Sequence, residues 1–201
     1  MDINQAVTEV LTITARPDRS AEILSALNAA ISFYSSKANF ALDLVETSLP
    51  ISPTEYGGTV QFNAVSPTPL VTRFRKFKYV KPYGVKRYLT PIGSDKIFTP
   101  KDQIQVDKYY VGGNNITYTL RELAPSLEVG YYQYPPVLDG VNLSTHWMLD
   151  LMPWAVIDRA AARIFRSIGD DTSAIAYDRS SMELFLTARR DFEDGVLVGA
   201  S

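Results

Sequence analysis

Residues 147–192 read WMLDLMPWAVIDRAAARIFRSIGDDTSAIAYDRSSMELFLTARRDF and contain the strongest helical signal in the chain. Pro153 suits a first helical turn, where its missing amide is not needed. Apolar residues then recur at intervals of three and four, at Val156, Ile157, Ala160, Ala161, Ile164, Phe165 and Ile168. Gly169 ends this helix, and Asp170 or Asp171 can cap a second helix that runs toward Gly195. The short link predicts an antiparallel helical hairpin.

Two more helices are predicted before residue 45. Asp2 can cap the first, whose apolar stripe is Ile3, Ala6, Val7, Val10 and Leu11. The second begins at about Ser20, whose hydroxyl can accept from the free amides of the first turn. Its stripe is Ile23, Leu24, Leu27, Ala30, Ile31 and Tyr34. These apolar faces are the expected partners of the C-terminal hairpin, which predicts a four-helix bundle.

The middle of the chain has a different pattern. From Leu49 onward, prolines and glycines divide it into pieces too short for packed helices. Alternating residues predict strands at 58–65, 104–111 and 116–120, and a further strand at 127–134 stops before Pro135. Residues 112–115, Gly-Gly-Asn-Asn, predict a hairpin connection because glycine and asparagine tolerate positive φ angles. Four or five antiparallel strands in a small sandwich or barrel-like sheet are expected.

The predicted fold class is therefore α+β. Two N-terminal helices (1–45) and a C-terminal helical hairpin (141–194) form the bundle. An antiparallel β domain (46–140) is inserted between them, and residues 195–201 form an extended tail. Without cysteine, the chain has no disulfide, thiolate nucleophile or cysteine-bearing zinc site. No signal segment is expected, because Met1 to Arg16 contain neither a basic n-region nor an unbroken apolar stretch. No membrane-spanning stretch is expected, because charged residues interrupt the longest apolar run.

The net charge of −2 conceals an uneven distribution along the chain. Residues 46–140 carry eleven basic and eight acidic side chains, whereas residues 141–201 carry six and nine. The positive excess is concentrated between residues 73 and 87. The overall acidic balance, with a pI near 5.5, argues against a dedicated nucleic-acid binder.

No catalytic or metal motif stands out. His146 is the only histidine, lacks a neighbouring nucleophile motif, and is interpreted as a packing or capping residue. Asp170 and Asp171 could form a paired-carboxylate or magnesium site, but the positive end of a helix dipole explains them sufficiently. Gly57-Gly58 and Gly112-Gly113 lack the lysine and helix of a phosphate-binding loop. No catalytic residue, metal ligand or cofactor site is therefore expected from these residues.

The segment Arg73-Phe74-Arg75-Lys76-Phe77-Lys78-Tyr79 interleaves cations with aromatic rings. This mixture can bind phosphates and stack on bases in single-strand binding sheets. Lysine-rich segments also protect exposed sheet edges and face acidic protein partners, and the protein-facing interpretation is preferred. Arg73, Arg75, Lys76 and Lys78, with Asp170 and Asp171, are therefore candidate subunit or partner interface residues.

Several blocks, in order, resemble the head-to-tail adaptor proteins of short-tailed bacteriophages. The N-terminal blocks are Arg16-Pro17, residues 22–31 and Phe40-Ala41-Leu42-Asp43-Leu44. The later blocks are Arg73 to Tyr79, Val129 to Pro136, and Trp147 through Pro153, Arg163-Ile164-Phe165 and Gly169-Asp170-Asp171. Their order and spacing carry the resemblance. The β middle is longer than in the purely helical adaptors.

The resemblance implies a non-enzymatic structural virion protein of the phage neck, assembled in the host cytoplasm. Such adaptors commonly form a ring of twelve copies between the portal protein and the tail nozzle protein, and sometimes dock tail fibres or spikes. Genomic DNA would pass through the ring without specific binding. The apolar tail residues are candidates for docking on the portal: Val196, Leu197, Val198, Gly199, Ala200 and Ser201.

Two alternatives come from other functional classes. The first is a single-strand nucleic-acid binding module that uses residues 73–79, and its affinity would fall steeply with salt. The second is a carboxylate-dependent hydrolase built on Asp170, Asp171 and a distant acid such as Glu183.

Overall fold

The computed structural model describes residues 1–62, 71–93 and 106–192, and these residues form an α+β protein. The chain divides into two compact units. The helical unit consists of Met1–Asp43 and of Tyr134–Ser201, in which residues up to 192 are described. The β unit is Leu44–Gln133.

The helical unit contains five helices in the described residues. They are α1 (Ile3–Thr14), α2 (Ser20–Lys37), α3 (Trp147–Leu151), α4 (Pro153–Ser167) and α5 (Asp171–Phe192). α4 packs against each of the other four, so it is the central helix of this unit. Four of the five were predicted, and only the five-residue α3 was not, since so short an element has no periodicity to detect.

The capping residues agree with the sequence at three of four helix starts. Asp2 caps α1 in a capping box with Gln5, and Pro153 occupies the first turn of α4. Before α5, Asp170 accepts a hydrogen bond from the Ser173 amide (3.1 Å). The predicted Ser20 cap is wrong: Arg19 holds the N-cap position of α2 without a side-chain hydrogen bond, because the 3₁₀ turn Pro17–Arg19 leads directly into the helix.

The core of the helical unit surrounds Tyr34, which is fully buried. Its ring stacks on Phe185 of α5 with centroids 4.5 Å apart. Its hydroxyl lies 3.1 Å from the Ala155 carbonyl oxygen and 3.3 Å from that of Ser181, so its proton can be donated to either. One residue of α2 is thereby joined to α4 and α5.

The β unit contains seven strands in the described residues. They are β1 (Leu44–Pro50), β2 (Gly57–Gln61), β3 (Phe74–Pro82), β4 (Thr90–Pro91), β5 (Lys108–Gly112), β6 (Asn115–Thr119) and β7 (Ser126–Gln133). One sheet has the order β1-β7-β3 and the other β2-β6-β5-β4. Residues of both sheets share one hydrophobic cluster, which includes Leu127, Val129 and Tyr131 of β7 with Ile116 and Tyr118 of β6.

The expected β domain needs three corrections. Seven strands replace four or five, and β4 pairs with β5 in parallel although only antiparallel strands were expected. β1 was not predicted, because its pairing with β7 rather than its local sequence defines it. The hairpin is confirmed, since Gly112 pairs with Asn115 and Gly113 has a φ of +59°. The predicted strand ends at 63–65 and 104–105 lie outside the described residues.

The unit boundaries also differ from the expected ones at 45/46 and 140/141. Residues 134–140 belong to the helical unit, because Leu138 is buried in its core. Asn28 of α2 holds the backbone of Leu138 on both sides: its Nδ2 donates to the carbonyl (2.9 Å), and its Oδ1 accepts from the amide (2.8 Å). These contacts, rather than the local Pro and Gly residues, determine where the helical unit resumes.

Asp158 is a buried acid between α4 and α5. It is 8% exposed, and the Ser180 hydroxyl donates to its Oδ2 at 2.6 Å. Burial raises the pKa of Asp158 above its ordinary value of 3.8, because it penalises the charged form. The folded state therefore holds this proton more tightly than the unfolded state, and stability falls as pH rises through the folded pKa.

We expect Asp158→Asn to raise the free energy of unfolding at pH 7, because asparagine keeps an oxygen acceptor for Ser180 without burying a charge. The gain over wild type should shrink as the pH falls toward 3.8, where the wild-type carboxyl is itself protonated. Urea unfolding at several pH values measures this gain. The exposed Asp171→Asn is the control, and an equal gain there, or a gain that grows in acid, would contradict the assignment.

Candidate functional site

Residues 74–79 of the basic-aromatic segment lie in β3, which pairs with β7 and is at the edge of its sheet within the described part of the chain. The pairing has two irregularities, between Phe74 and Lys76 and between Phe77 and Tyr79. Each irregularity inserts an extra residue, so side chains three positions apart face the core. Phe74, Phe77 and Val80 therefore pack in the hydrophobic cluster of the β unit.

Two of the three rings in this segment are core residues. Phe77 is 8% exposed, and its ring centroid lies 4.5 Å from that of Phe74 and 5.2 Å from that of Phe62. Base stacking requires an exposed ring face. The packing of Phe74 and Phe77 thus leaves the nucleic-acid alternative without most of its stacking platform.

Tyr79 lies on the opposite face of the sheet, beside Gly130 of β7. A Cβ at position 130 would overlap the tyrosine ring, so glycine is what allows this close approach. The Tyr79 hydroxyl donates to Glu46 of β1 at 2.5 Å. Burial, followed by this hydrogen bond, raises the pKa of Tyr79 above its usual range, and the phenol stays neutral.

The cations of β3 share this outer face with acids. Lys81 forms a salt bridge with Glu128 (2.6 Å), and the Arg75 guanidinium lies 5.3 Å from the centre of the Tyr132 ring. Lys76 is exposed. Arg73 lies just before β3, has a φ of +47° and donates to Gln133 (3.1 Å). Mixed charge of this kind suits a protein partner better than a phosphate backbone.

The predicted carboxylates do not converge. Asp170 is engaged as a helix cap, and the Ser173 hydrogen bonds lower its pKa. Asp171 is exposed in the first turn of α5. Glu183 lies twelve residues further along the same helix, about 18 Å away at 1.5 Å per residue, and is paired with Arg179 (3.0 Å). This separation removes the geometric basis of the hydrolase alternative.

The structure shows that His146 is a capping residue, one of the two roles, packing or capping, that the sequence left open. It holds the N-cap position of α3, and its Nδ1 accepts from the Met148 amide at 3.3 Å. The portal-docking candidates Val196 to Ser201 lie outside the described residues.

α4 and α5 carry exposed apolar side chains, and the sequence did not predict their exposure. The Ser180–Asp158 hydrogen bond sets the register of these antiparallel helices. Leu184 is one turn after Ser180 and Trp154 is one turn before Asp158, so both lie toward the same end of this antiparallel pair. Leu184 is 40% exposed and Trp154 is 50% exposed. We call these two residues the tryptophan face.

Two more apolar side chains are exposed on α5. Ile175 is 66% exposed and Leu186 is 55% exposed. At about 3.6 residues per turn, these two project within about 20° of each other and about 160–180° away from Leu184. They lie eleven residues apart, about 16 Å along the helix axis, so they mark one side of α5 and do not form a single patch. We call this side the isoleucine face. α5 therefore exposes apolar side chains in two nearly opposite directions. The helical pattern of the sequence would assign these side chains to the core.

Neither a protein-family model nor a curated protein matches this chain. Within residues 1–62, 71–93 and 106–192, no cluster of three or more His, Asp or Glu residues could hold a metal ion. No helix among these residues is long and apolar enough to cross a membrane.

Proposed function

We propose that the protein is a structural virion component, a head-to-tail adaptor that forms a ring between the portal protein and the tail nozzle protein. The order of its sequence blocks resembles that family. The observation that carries the proposal is the two exposed apolar faces of α4 and α5: the tryptophan face, shared by both helices, and the isoleucine face of α5. Exposed apolar side chains that include a half-exposed tryptophan are typical of an interface, and aromatic residues often supply much of the binding energy.

A ring built by rotation needs head-to-tail contacts, in which one face of a subunit meets a different face of the next. The tryptophan face of one copy would meet the isoleucine face of its neighbour. A single helix with apolar side chains in two opposite directions satisfies this requirement. Twelve copies and a four-helix bundle forming the ring wall are part of the proposal.

The β unit contributes a second contact in this picture. The mixed-charge outer face around Tyr79, Lys81 and Glu128 is suited to a protein partner at the rim, such as a tail fibre, a spike or the nozzle. The tail from Val196 to Ser201 would dock on the portal. DNA would pass through the ring without specific binding, since the chain is acidic overall.

The test measures mass by light scattering, with the protein alone and mixed with the portal protein of the same virus. We expect a ring or a stoichiometric portal complex for the wild type. A chain ending at Gly195 should lose the portal complex. Trp154→Ser with Leu184→Ser, and separately Ile175→Ser with Leu186→Ser, should each prevent ring formation. The control is Val141→Ser, at a site 85% exposed and outside both faces.

Mixing the two double variants tests the geometry. Each retains one intact face, so a head-to-tail contact predicts a one-to-one dimer that cannot grow further. A contact between identical faces predicts no mixed dimer. A wild-type chain that remains monomeric with and without the portal protein would overturn the proposal.

A further inference from the structure

A groove of about 210 Å³ lies between α2, α4 and α5 of the helical unit. Small alanine side chains of α2 and α4 form its floor, and Phe33, Asp178 and three arginines of α4 line its walls. The arginines are Arg159, Arg163 and Arg166, on successive turns of one helix face. We call this the arginine groove.

Two of the arginines are held in place. The Arg159 guanidinium lies 3.6 Å from the centre of the Phe33 ring and donates to Asp178 at 2.5 Å. Arg166 reaches the other oxygen of Asp178 at 3.5 Å. Arg163 is exposed and forms no ion pair with a residue that the structure describes. The one carboxylate of the groove therefore pairs with two of its three guanidinium groups.

The three arginines repel one another and so lower the stability of the folded helix, and folding alone gives no reason for this placement. Like charges three and four residues apart destabilise a helix, and Asp178 compensates only part of the repulsion. Lys37 adds a further cation, 5.2 Å from the centre of the Phe33 ring. An anion bound in the groove would relieve the repulsion, and guanidinium groups are well suited to bind carboxylates.

We propose that the arginine groove binds a carboxylate side chain from an acidic segment of a partner protein. The volume favours a side chain, because pockets for whole drug-sized ligands usually span about 300–1,000 Å³. The apolar floor suits the methylene groups of a glutamate. This inference does not depend on the ring, since the groove would bind an acidic segment in any assembly.

The charge of the helical unit argues against nucleic acid in this groove. Residues 1–43 and 134–192 carry nine basic and thirteen acidic side chains. A long polyanion would be repelled by this excess beyond the groove, whereas a short acidic segment interacts mainly within the screening length of about 8 Å at physiological salt. Local positive charge within an acidic surface thus selects a short anion.

The experiment uses the full chain and a fluorescent pentaglutamate peptide, with binding followed by anisotropy at low salt. We expect Arg163→Gln with Arg166→Gln to weaken binding at least tenfold, because the double variant removes two of the three guanidinium groups. The fold should be kept, because both arginines are exposed and neither supports the core. Arg179→Gln, on the outer side of α5 and 81% exposed at its side chain, should change binding less than twofold. Pentaglutamine should not bind.

Three results would overturn the proposal. One is unchanged pentaglutamate affinity in the double variant. Another is tighter binding of a thymidine decanucleotide than of pentaglutamate through the same arginines, which would indicate nucleic acid. The third is equal affinity for inorganic phosphate, which would indicate a simple anion site.

Discussion

Tyr34→Ala is expected to lower the free energy of unfolding of the helical unit by about 3–5 kcal/mol, the usual loss for a large buried aromatic residue. The substitution removes the stack on Phe185 and the hydroxyl that joins α2 to the Ala155 and Ser181 carbonyl oxygens. A domain typically has about 5–15 kcal/mol of total stability. This single change would therefore remove a large part of it.

Tryptophan fluorescence during urea unfolding measures this loss. Both tryptophans, Trp147 and Trp154, lie in the helical unit, so the signal reports on that unit. Tyr34→Phe is the matched control, because it keeps the ring and loses one hydrogen bond, at about 1 kcal/mol. If the phenylalanine variant were as unstable as the alanine variant, the hydroxyl rather than ring packing would hold the three helices together.

Phe77→Ala is expected to lower the free energy of unfolding of the β unit by about 3–5 kcal/mol, on the same grounds. Phe77 contacts Phe62 and Phe74 within the shared core of the two sheets. The neighbouring Lys76→Gln should change stability by no more than about 0.5 kcal/mol, because that side chain is exposed. Hydrogen exchange of the β7 amides measures the stability of the β unit separately from that of the helical unit.

This pair of variants also distinguishes a core strand from a nucleic-acid surface. If Phe77 stacked on bases, Phe77→Ala would weaken oligonucleotide binding while leaving β7 protection intact. Loss of protection in Phe77→Ala with no loss in Lys76→Gln is the expected result.

Much of the helical unit was predictable because its signals are local. A helix stripe repeats every three or four residues, and caps such as Asp2, Pro153 and Asp170 act within one turn of their position. The hairpin at Gly112 and Gly113 was predictable for the same reason, since positive φ is a property of the residues themselves. Local signals did not predict the exposure of Leu184, Ile175 and Leu186. Their spacing is typical of a helix, but it does not show whether another element packs against them.

The β unit was less predictable because its signals are distant in the chain. β1 forms because β7, some eighty residues later, offers a pairing edge. The irregular pairing of β3 with β7 turned Phe74 and Phe77 inward, which a strict alternation of residues does not anticipate. The candidate site changed accordingly from an aromatic strand to a mixed-charge face.

Amino-acid order alone established the α+β class and the helical ends around a β insertion, since helix periodicity and turn residues act over a few neighbouring positions. It did not decide between packing and capping for His146, because α3 is too short to give a periodic pattern. Folding in three dimensions determined which rings were buried, which apolar faces of α5 remained exposed, and how Arg159, Arg163 and Arg166 came to face Phe33 and Asp178. Those outcomes depend on the packing of segments far apart in the chain, where the burial of one side chain is decided by the surface of another.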